Sequence, residues 1–404
     1  MIRRIFQILI PCVFLFVARA EAFGWDPLTS ILKKDTLKTE PKRYSYFSAR
    51  YEIGRVLQTN DFVRGENLAG KPIDTFHALT LSYGVQTTGR KEWQHVLNFP
   101  YYGVSFYNAN FFNSRELGYP TALYGFIGLP IKRGPRSSFG YELGFGLTYN
   151  WQPYDEYNNP FNIAIGSHRT VYGGGNLYYS YDLTPRWELK GGVEFSHFSN
   201  GATKQPNSGL NLFSPFVELK YSFHDRPELV RVMPPAYQKH SEIAVQYGIG
   251  KMQEEYRSKE SEDIFALESF MMMNVSVAWL RQTTWKHKFG IGTDLTYNEE
   301  GNVKITYHEG QEPDVEKSSA FFDKTSMGIY GTYEFCIDRL SLASYLGAYA
   351  LRKHDDREPP LLYQKFGAKY HFKNDMFIGI LVRAHNFSVA DFIEWNIGYR
   401  FKWY

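Results

Sequence analysis

Trp187-Glu188-Leu189-Lys190-Gly191-Gly192-Val193-Glu194-Phe195-Ser196-His197-Phe198-Ser199 decides the fold of this chain. Read at period two, Trp187, Leu189, Gly191, Val193 and Phe195 fall on one side, and Glu188, Lys190, Gly192, Glu194 and Ser196 on the other. Successive side chains of a strand point to opposite faces. A charge turned toward the middle of a bilayer costs roughly 2–4 kcal/mol, so the face bearing Glu188, Lys190 and Glu194 looks into a polar lumen. The apolar face then meets lipid. His197 and Ser199 continue that lipid-facing series. The next strand repeats the pattern, with Phe213, Pro215, Val217, Leu219 and Tyr221 outward and Ser214, Glu218 and Lys220 inward. By the same parity Asn211 faces outward, at the same end as His197.

Working outward from this hairpin, period-two segments recur along the chain. They predict strands near 46–57, 75–86, 97–110, 120–132, 138–151, 171–182, 186–199 and 211–223. A second set is expected near 241–252, 267–281, 286–298, 324–337, 340–352, 361–373, 376–387 and 391–402. Such lengths suit tilted membrane strands, which need about 9–11 residues in the hydrocarbon. The two sets read as copies of one unit. Tyr51-Glu52-Ile53-Gly54-Arg55 answers Tyr247-Gly248-Ile249-Gly250-Lys251, and Phe216 to Phe223 answers Glu394 to Phe401. Between them runs a proline-rich stretch with Asp225-Arg226-Pro227 and Met233-Pro234-Pro235, longer than the short periplasmic turns inside a barrel. The expected organisation is a first barrel unit at 43–225, a linker at 226–240 and a second, degenerate unit at 241–404. The fold class is all-β, a transmembrane antiparallel β-barrel with a duplicated unit. The long linker favours two barrels of about eight strands each, with one of about sixteen as the runner-up, since both keep an even strand count.

Composition agrees. Aromatics make up 18% of the chain, with 31 Tyr and 32 Phe, yet mean hydropathy is negative. A barrel wall that is half lipid-facing and half water-facing has that balance. The closing run Gly398 to Tyr404 alternates Tyr399, Phe401 and Trp403 with Arg400 and Lys402, as a final membrane strand with an interfacial girdle does. At the other end, Arg3 and Arg4, the apolar run Ile5–Val17 and Ala18-Arg19-Ala20 read as a secretory signal peptide over 1–20. Beyond it only Cys336 remains, which excludes an intramolecular disulfide and a cysteine metal site. A net charge of +3 gives no argument for nucleic acid. The charged runs near 254–263 and 309–317 show no metal-ligand spacing, so neither metal nor cofactor is expected.

A barrel chain starts in the periplasm, so its seventh strand ends at the cell surface. His197, Ser199 and Asn211 are therefore expected together near the outer leaflet. Serine becomes a nucleophile when a base takes its proton, histidine is the usual base, and a third group fixes the ring. Ser199 is thus the candidate nucleophile, His197 the base and Asn211 the orienting group. Asn200 and the backbone N–H of Gly201 are candidates for holding an oxyanion. The plainer alternative is a polar rim where strand meets loop.

His197-x-Ser199-Asn200, with Lys204-Gln205-Pro206-Asn207-x-Gly209, resembles the lipid A 3-O-deacylase family of outer-membrane barrels. The resemblance implies an eight-stranded enzyme that removes the ester-linked 3-position acyl chain of lipid A. It places the family's serine on Ser199 and its histidine on His197. The family's third member is Glu, and that position falls on Asn211; Glu218 is turned to the lumen. His197-x-Ser199-Asn200-Gly201 with Asn211 is also similar to outer-membrane phospholipase A, whose triad ends in Asn. That family is calcium-assisted and dimeric, and loop 200–210 carries no evident calcium-ligand pattern. The expected function is therefore an integral outer-membrane serine esterase acting on lipid A of lipopolysaccharide. Phospholipase A and a non-catalytic barrel or channel are the alternatives. In the second unit His385 falls on the lumen parity beside Arg383, with Asn386 and Ser388 aligned on His197 and Ser199. That half is expected not to be catalytic. Oligomeric state is not written in the sequence.

Overall fold

The computed structural model describes residues 43–257, 264–306, 314–316, 320–352, 359–387 and 389–404. The signal peptide read at 1–20 lies outside the described residues. The chain forms two closed antiparallel barrels of eight strands each, so the two-barrel arrangement is realised rather than a single large one. The first comprises β1 (Tyr44–Val56), β2 (Thr75–Gln86), β3 (Tyr101–Asn110), β4 (Gly118–Arg133), β5 (Ser137–Trp151), β6 (Thr170–Asp182), β7 (Trp187–Ser199) and β8 (Leu210–Ser222). Pairing of β1 with β8 closes it. The second comprises β9 (His240–Arg257), β10 (Ile264–Gln282), β11 (His287–Asn298), β14 (Thr325–Ile337), β15 (Leu340–Leu351), β16 (Leu362–His371), β17 (Met376–His385) and β18 (Val389–Trp403), closed by β18 against β9. Within its β11–β14 loop sits a small hairpin, β12 (Lys304–Thr306) and β13 (Asp314–Glu316).

The strands follow the period-two reading closely, with one informative departure. The third strand starts at Tyr101, not near residue 97, because a short helix, Glu92–Val96, runs into the left-handed residues Asn98 (φ 56°) and Phe99 (φ 57°). Period-two patterning does not register a single helical turn. The helices Asp61–Arg64 and Ser114–Leu117 escaped it for the same reason.

The alternation of β7 is as expected. Trp187, Leu189 and Val193 are exposed on the outer wall, while Lys190, Glu194 and Ser196 are buried within. The interior is filled rather than open. Arg50 donates through Nη1 to Glu194 (2.6 Å), through Nη2 to Glu142 (2.6 Å) and through Nε to Glu218 (2.8 Å). Lys190 Nζ donates to Glu218 (3.1 Å), and Tyr101 gives its hydroxyl proton to Glu142 (3.0 Å). Above this ionic layer lies an aromatic one built from Tyr107, Tyr124, Tyr172, Phe198 and Trp151. The second barrel uses the same principle with different residues. Lys365 lies between Asp294 (2.8 Å) and Glu394 (3.1 Å), and Lys288 between Glu242 (2.8 Å) and Glu334 (3.2 Å).

The barrels touch each other along their walls. Leu97, Leu129, Phe335 and Ile337 form a buried cluster shared between them, and Lys91 Nζ pairs with Asp338 at 2.9 Å. The connecting segment is tied to both. Val232 N–H donates to His95 Nδ1 of the first barrel (3.3 Å), and Trp285 Nε1 of the second donates to Pro235 O (3.2 Å).

One prediction follows from the ionic layer. Removing one member of a buried ion cluster leaves its partners' charges uncompensated, at a cost of about 3–5 kcal/mol. Arg50→Leu, which leaves Lys190 as the one cation against Glu142, Glu194 and Glu218, is expected to lower barrel stability by about that amount. Urea titration of the reconstituted protein, followed by tryptophan fluorescence, measures it. An unchanged midpoint would mean that the arginine does not hold the interior.

Candidate functional site

The first barrel carries its two longest loops at one end. Residues 134–136 and 183–186 make tight turns at the end where the connecting segment leaves, joined there by 87–100, whereas the two longest loops, 57–74 and 152–169, lie at the other end with 111–117 and 200–209. The longer loops of outer-membrane barrels are extracellular, so β7 runs toward the cell surface and ends there at Ser199. His197 and Asn211 are direct register partners across β7 and β8. Both point away from the bore, as their parity requires.

Phe198, between His197 and Ser199, points the other way. It is fully buried against Trp151 (5.4 Å between ring centroids) and Tyr172 (5.5 Å). Seating that ring inside fixes the outward direction of the side chains on either side of it. On the outer wall, the register partner of His197 on β6 is Gly173, where an added Cβ would meet nothing within 4 Å. The wall beside the imidazole is therefore bare.

His197 Nδ1 donates to Asn211 Oδ1 at 2.7 Å. The amide is fixed in that orientation because its Nδ2 donates to Thr59 Oγ1 at 3.2 Å. With its proton on Nδ1, the imidazole presents Nε2 as an acceptor. Gly209 makes the close approach possible. It has φ +71°, and a Cβ there would lie 2.9 Å from His197 Cε1 and 3.0 Å from Phe198 O. Any other residue would displace the ring.

Ser199 Oγ accepts two hydrogen bonds, from Gly201 N–H (3.1 Å) and from Asn207 Nδ2 (2.8 Å). None between Ser199 and His197 occurs among the described residues. Two donors thus converge on the serine oxygen, and its own proton remains available to a base. Asn200 is engaged differently from the sequence expectation. Its Nδ2 donates to Lys204 O (2.6 Å), its Oδ1 accepts from Lys204 N–H (3.3 Å), and its backbone N–H donates to Asn207 Oδ1 (3.0 Å). Those bonds brace the loop and leave its side-chain N–H groups turned from the serine. Asn207 stands at the serine in its place.

A lattice of asparagine amides holds the loop layer still. Asn60 Nδ2 donates to Gly209 O (3.0 Å). Asn162 Nδ2 donates to Glu116 O (2.9 Å) and Gln152 O (2.8 Å), and its Oδ1 accepts from Ile165 N–H (3.1 Å). The segment so fixed receives Ser208 N–H at Ile163 O and Gly209 N–H at Ala164 O, both 2.9 Å. Gly166 lets the two loops meet, since a Cβ there would sit 2.5 Å from Pro206 O.

Sequence reasoning missed Thr59 and the role of Asn207. Asn207 lies in the quoted 204–209 run, but its place at the serine depends on how the loop folds back. Thr59 comes from a loop more than a hundred residues upstream, with no local signal. Glu218 is buried on Arg50, as its lumen parity demands. In the second barrel His385 is also turned inward, its Nε2 3.3 Å from Tyr349 Oη, and Arg383 beside it reaches Thr296 Oγ1 (2.7 Å). Asn386 occupies a turn with φ 51°, and Ser388 lies outside the described residues. Among the described residues no group of three or more His, Cys, Asp or Glu is placed to hold a metal ion.

Residues 77–220 match the family described as lipid A 3-O-deacylase (PagL), and residues 241–403 match the acyloxyacyl hydrolase C-terminal domain. Among curated proteins none matches. Solved structures similar to this chain include the outer membrane enzyme PagL, at 16% identity over 42% of this chain and 97% of that one, with a TM-score of 0.28. The toluene transporter TodX of Pseudomonas putida aligns at 10% identity over 90% of this chain and 89% of that one, TM-score 0.17. The siderophore receptor PirA of Pseudomonas aeruginosa aligns at 8% identity over 91% and 82%, TM-score 0.24. With the first barrel matched by the lipid A 3-O-deacylase family and the second by the acyloxyacyl hydrolase C-terminal domain, the chain is an integral outer-membrane β-barrel protein of the lipid A 3-O-deacylase family.

Proposed function

We propose that this protein is a serine ester hydrolase that removes the 3-O-acyl chain of lipid A in the outer leaflet. The observation that carries the reading is the 2.7 Å bond from His197 Nδ1 to Asn211 Oδ1 on the lipid-facing wall, two residues from a serine whose oxygen is met by two N–H donors. In the proposed reaction Ser199 Oγ attacks the ester carbonyl carbon while His197 Nε2 takes its proton. The carbonyl electrons move onto oxygen, and Gly201 N–H and Asn207 Nδ2, which meet Ser199 Oγ before the attack, pass to the oxyanion developing beside it. Collapse expels the sugar alkoxide, which takes the proton back from His197. Water, activated by the same imidazole, then cleaves the acyl-enzyme and releases a fatty acid.

Asn211 fixes the ring and tautomer through its carbonyl, and Thr59 keeps that carbonyl turned the right way. It brings no charge to stabilise the imidazolium, so the orienting contribution is all that it supplies. The asparagine in this position favours a second reading, hydrolysis of phospholipid acyl esters, because it is the third member in outer-membrane phospholipase A. The second barrel is read as a non-catalytic unit, with His385 committed to the interior beside Tyr349.

Mass spectrometry of lipid A separates these readings. Cells producing the intact protein are expected to show lipid A lighter by one 3-O-acyl chain, and cells producing Ser199→Ala are expected to show none of this species. Unchanged lipid A in both, with fatty acid released from phospholipid vesicles by the intact protein alone, would transfer the assignment to phospholipid. A finer expectation concerns the loop. Asn207→Ala should lower kcat by about 10²–10³-fold, the usual loss for one oxyanion donor. Initial rates on purified lipid A test it, and a rate within a factor of two of wild type would remove Asn207 from the mechanism.

A further inference from the structure

Two outward-pointing residues of the second barrel are covered where lipid should be. On β18, Phe392, Glu394 and Asn396 face inward and are buried, whereas Trp395 and Ile397 on the outer face are 57% and 47% exposed. Ile393 belongs to the outer series and yet is only 8% exposed. The cover is Gly201 of the first barrel. A Cβ on that glycine would lie 2.4 Å from Ile393 Cγ1 and 2.8 Å from Cδ1, and its φ is +60°. On β9, the outer-face residue Gln253 makes two hydrogen bonds to the same loop. Its backbone N–H donates to Ala202 O (2.8 Å), and its Oε1 accepts from Gln205 N–H (2.8 Å). Its Nε2 is in turn steadied by Ser269 Oγ of β10 at 3.4 Å.

The segment gripped in this way is the one whose Gly201 N–H points at Ser199 Oγ. Its own barrel holds it through Asn200, whose carbonyl accepts from Thr203 N–H (3.3 Å) and Oγ1 (2.9 Å), and through Asn207 and Gly209. Gly201 and Ala202, both with positive φ, are the part of it that meets the second barrel. An oxyanion donor lowers a barrier only insofar as it is already aimed before the charge develops. We infer that Gln253, with Ile393 behind Gly201, is a positioning residue supplied by the second barrel to the active loop of the first. The second barrel thereby takes part in the reaction without touching substrate. The inference rests on the reading of Ser199 as nucleophile and deepens it.

The test uses the full chain with purified lipid A. Gln253→Leu removes the acceptor for Gln205 N–H and is expected to lower kcat about tenfold with KM unchanged, less than the loss of a donor itself. Gln253→Glu keeps an acceptor oxygen and is expected to restore most of that rate. Ile393→Ala withdraws the support behind Gly201 without touching a polar group and lowers kcat in the same sense. Heat-dependent electrophoretic mobility verifies that each variant is a folded barrel. A folded Gln253→Leu with wild-type kcat, or equal losses in the Leu and Glu variants, overturns the inference while Ser199→Ala stays inactive. A Ser199→Ala protein that still deacylates overturns both this inference and the reading beneath it.

Discussion

A strand that separates hydrocarbon from a packed polar interior gives each side chain only two directions, and everything about this molecule depends on that restriction. On β7 the inner direction is held by Lys190, Glu194 and Phe198, each buried among partners in the bore. The outer direction is then forced on His197 and Ser199. The guanidinium of Arg50, shared among carboxylates from β5, β7 and β8, secures the interior across the barrel rather than along one strand. Sliding β7 by one residue would place its charges in lipid and His197 and Ser199 in the bore.

This logic explains how much was legible beforehand. The period-two pattern gave most of each strand and the outward series, because these follow from parity, whereas the pairing of His197 with Asn211 depends on the register of the β7–β8 hairpin. The choice between one large barrel and two small ones is a matter of which strand closes on which. No local pattern encodes the β1–β8 and β9–β18 seams. The loops were harder still. Asn200 and Asn207 are the same residue type a few positions apart, and only the folded-back 200–209 loop decides that one braces the backbone while the other meets the serine. Thr59 illustrates the general limit. A residue that orients a site from a distant loop acts through geometry, and its identity carries little information by itself.

The asparagines around the site share a physical task. Each amide offers donors and an acceptor in one plane, so a single side chain can satisfy two or three backbone groups in a loop that lacks regular structure. Asn60, Asn159, Asn162 and Asn200 all do so. The result is a surface layer with the hydrogen-bond economy of a sheet, set over the aromatic layer that caps the ionic one. Rigidity at the lipid boundary comes from this stacking of three differently bonded strata.

The outward direction of His197 and Ser199 also determines how anything reaches them. A group lodged in a cleft is visited from bulk water, in three dimensions. One mounted on the flank of a cylinder is visited by neighbours drifting sideways within the leaflet. Encounter then scales with molecules per unit area, and the tightness of the surrounding lipid mosaic becomes the gatekeeper that a lid or tunnel would be in a soluble protein.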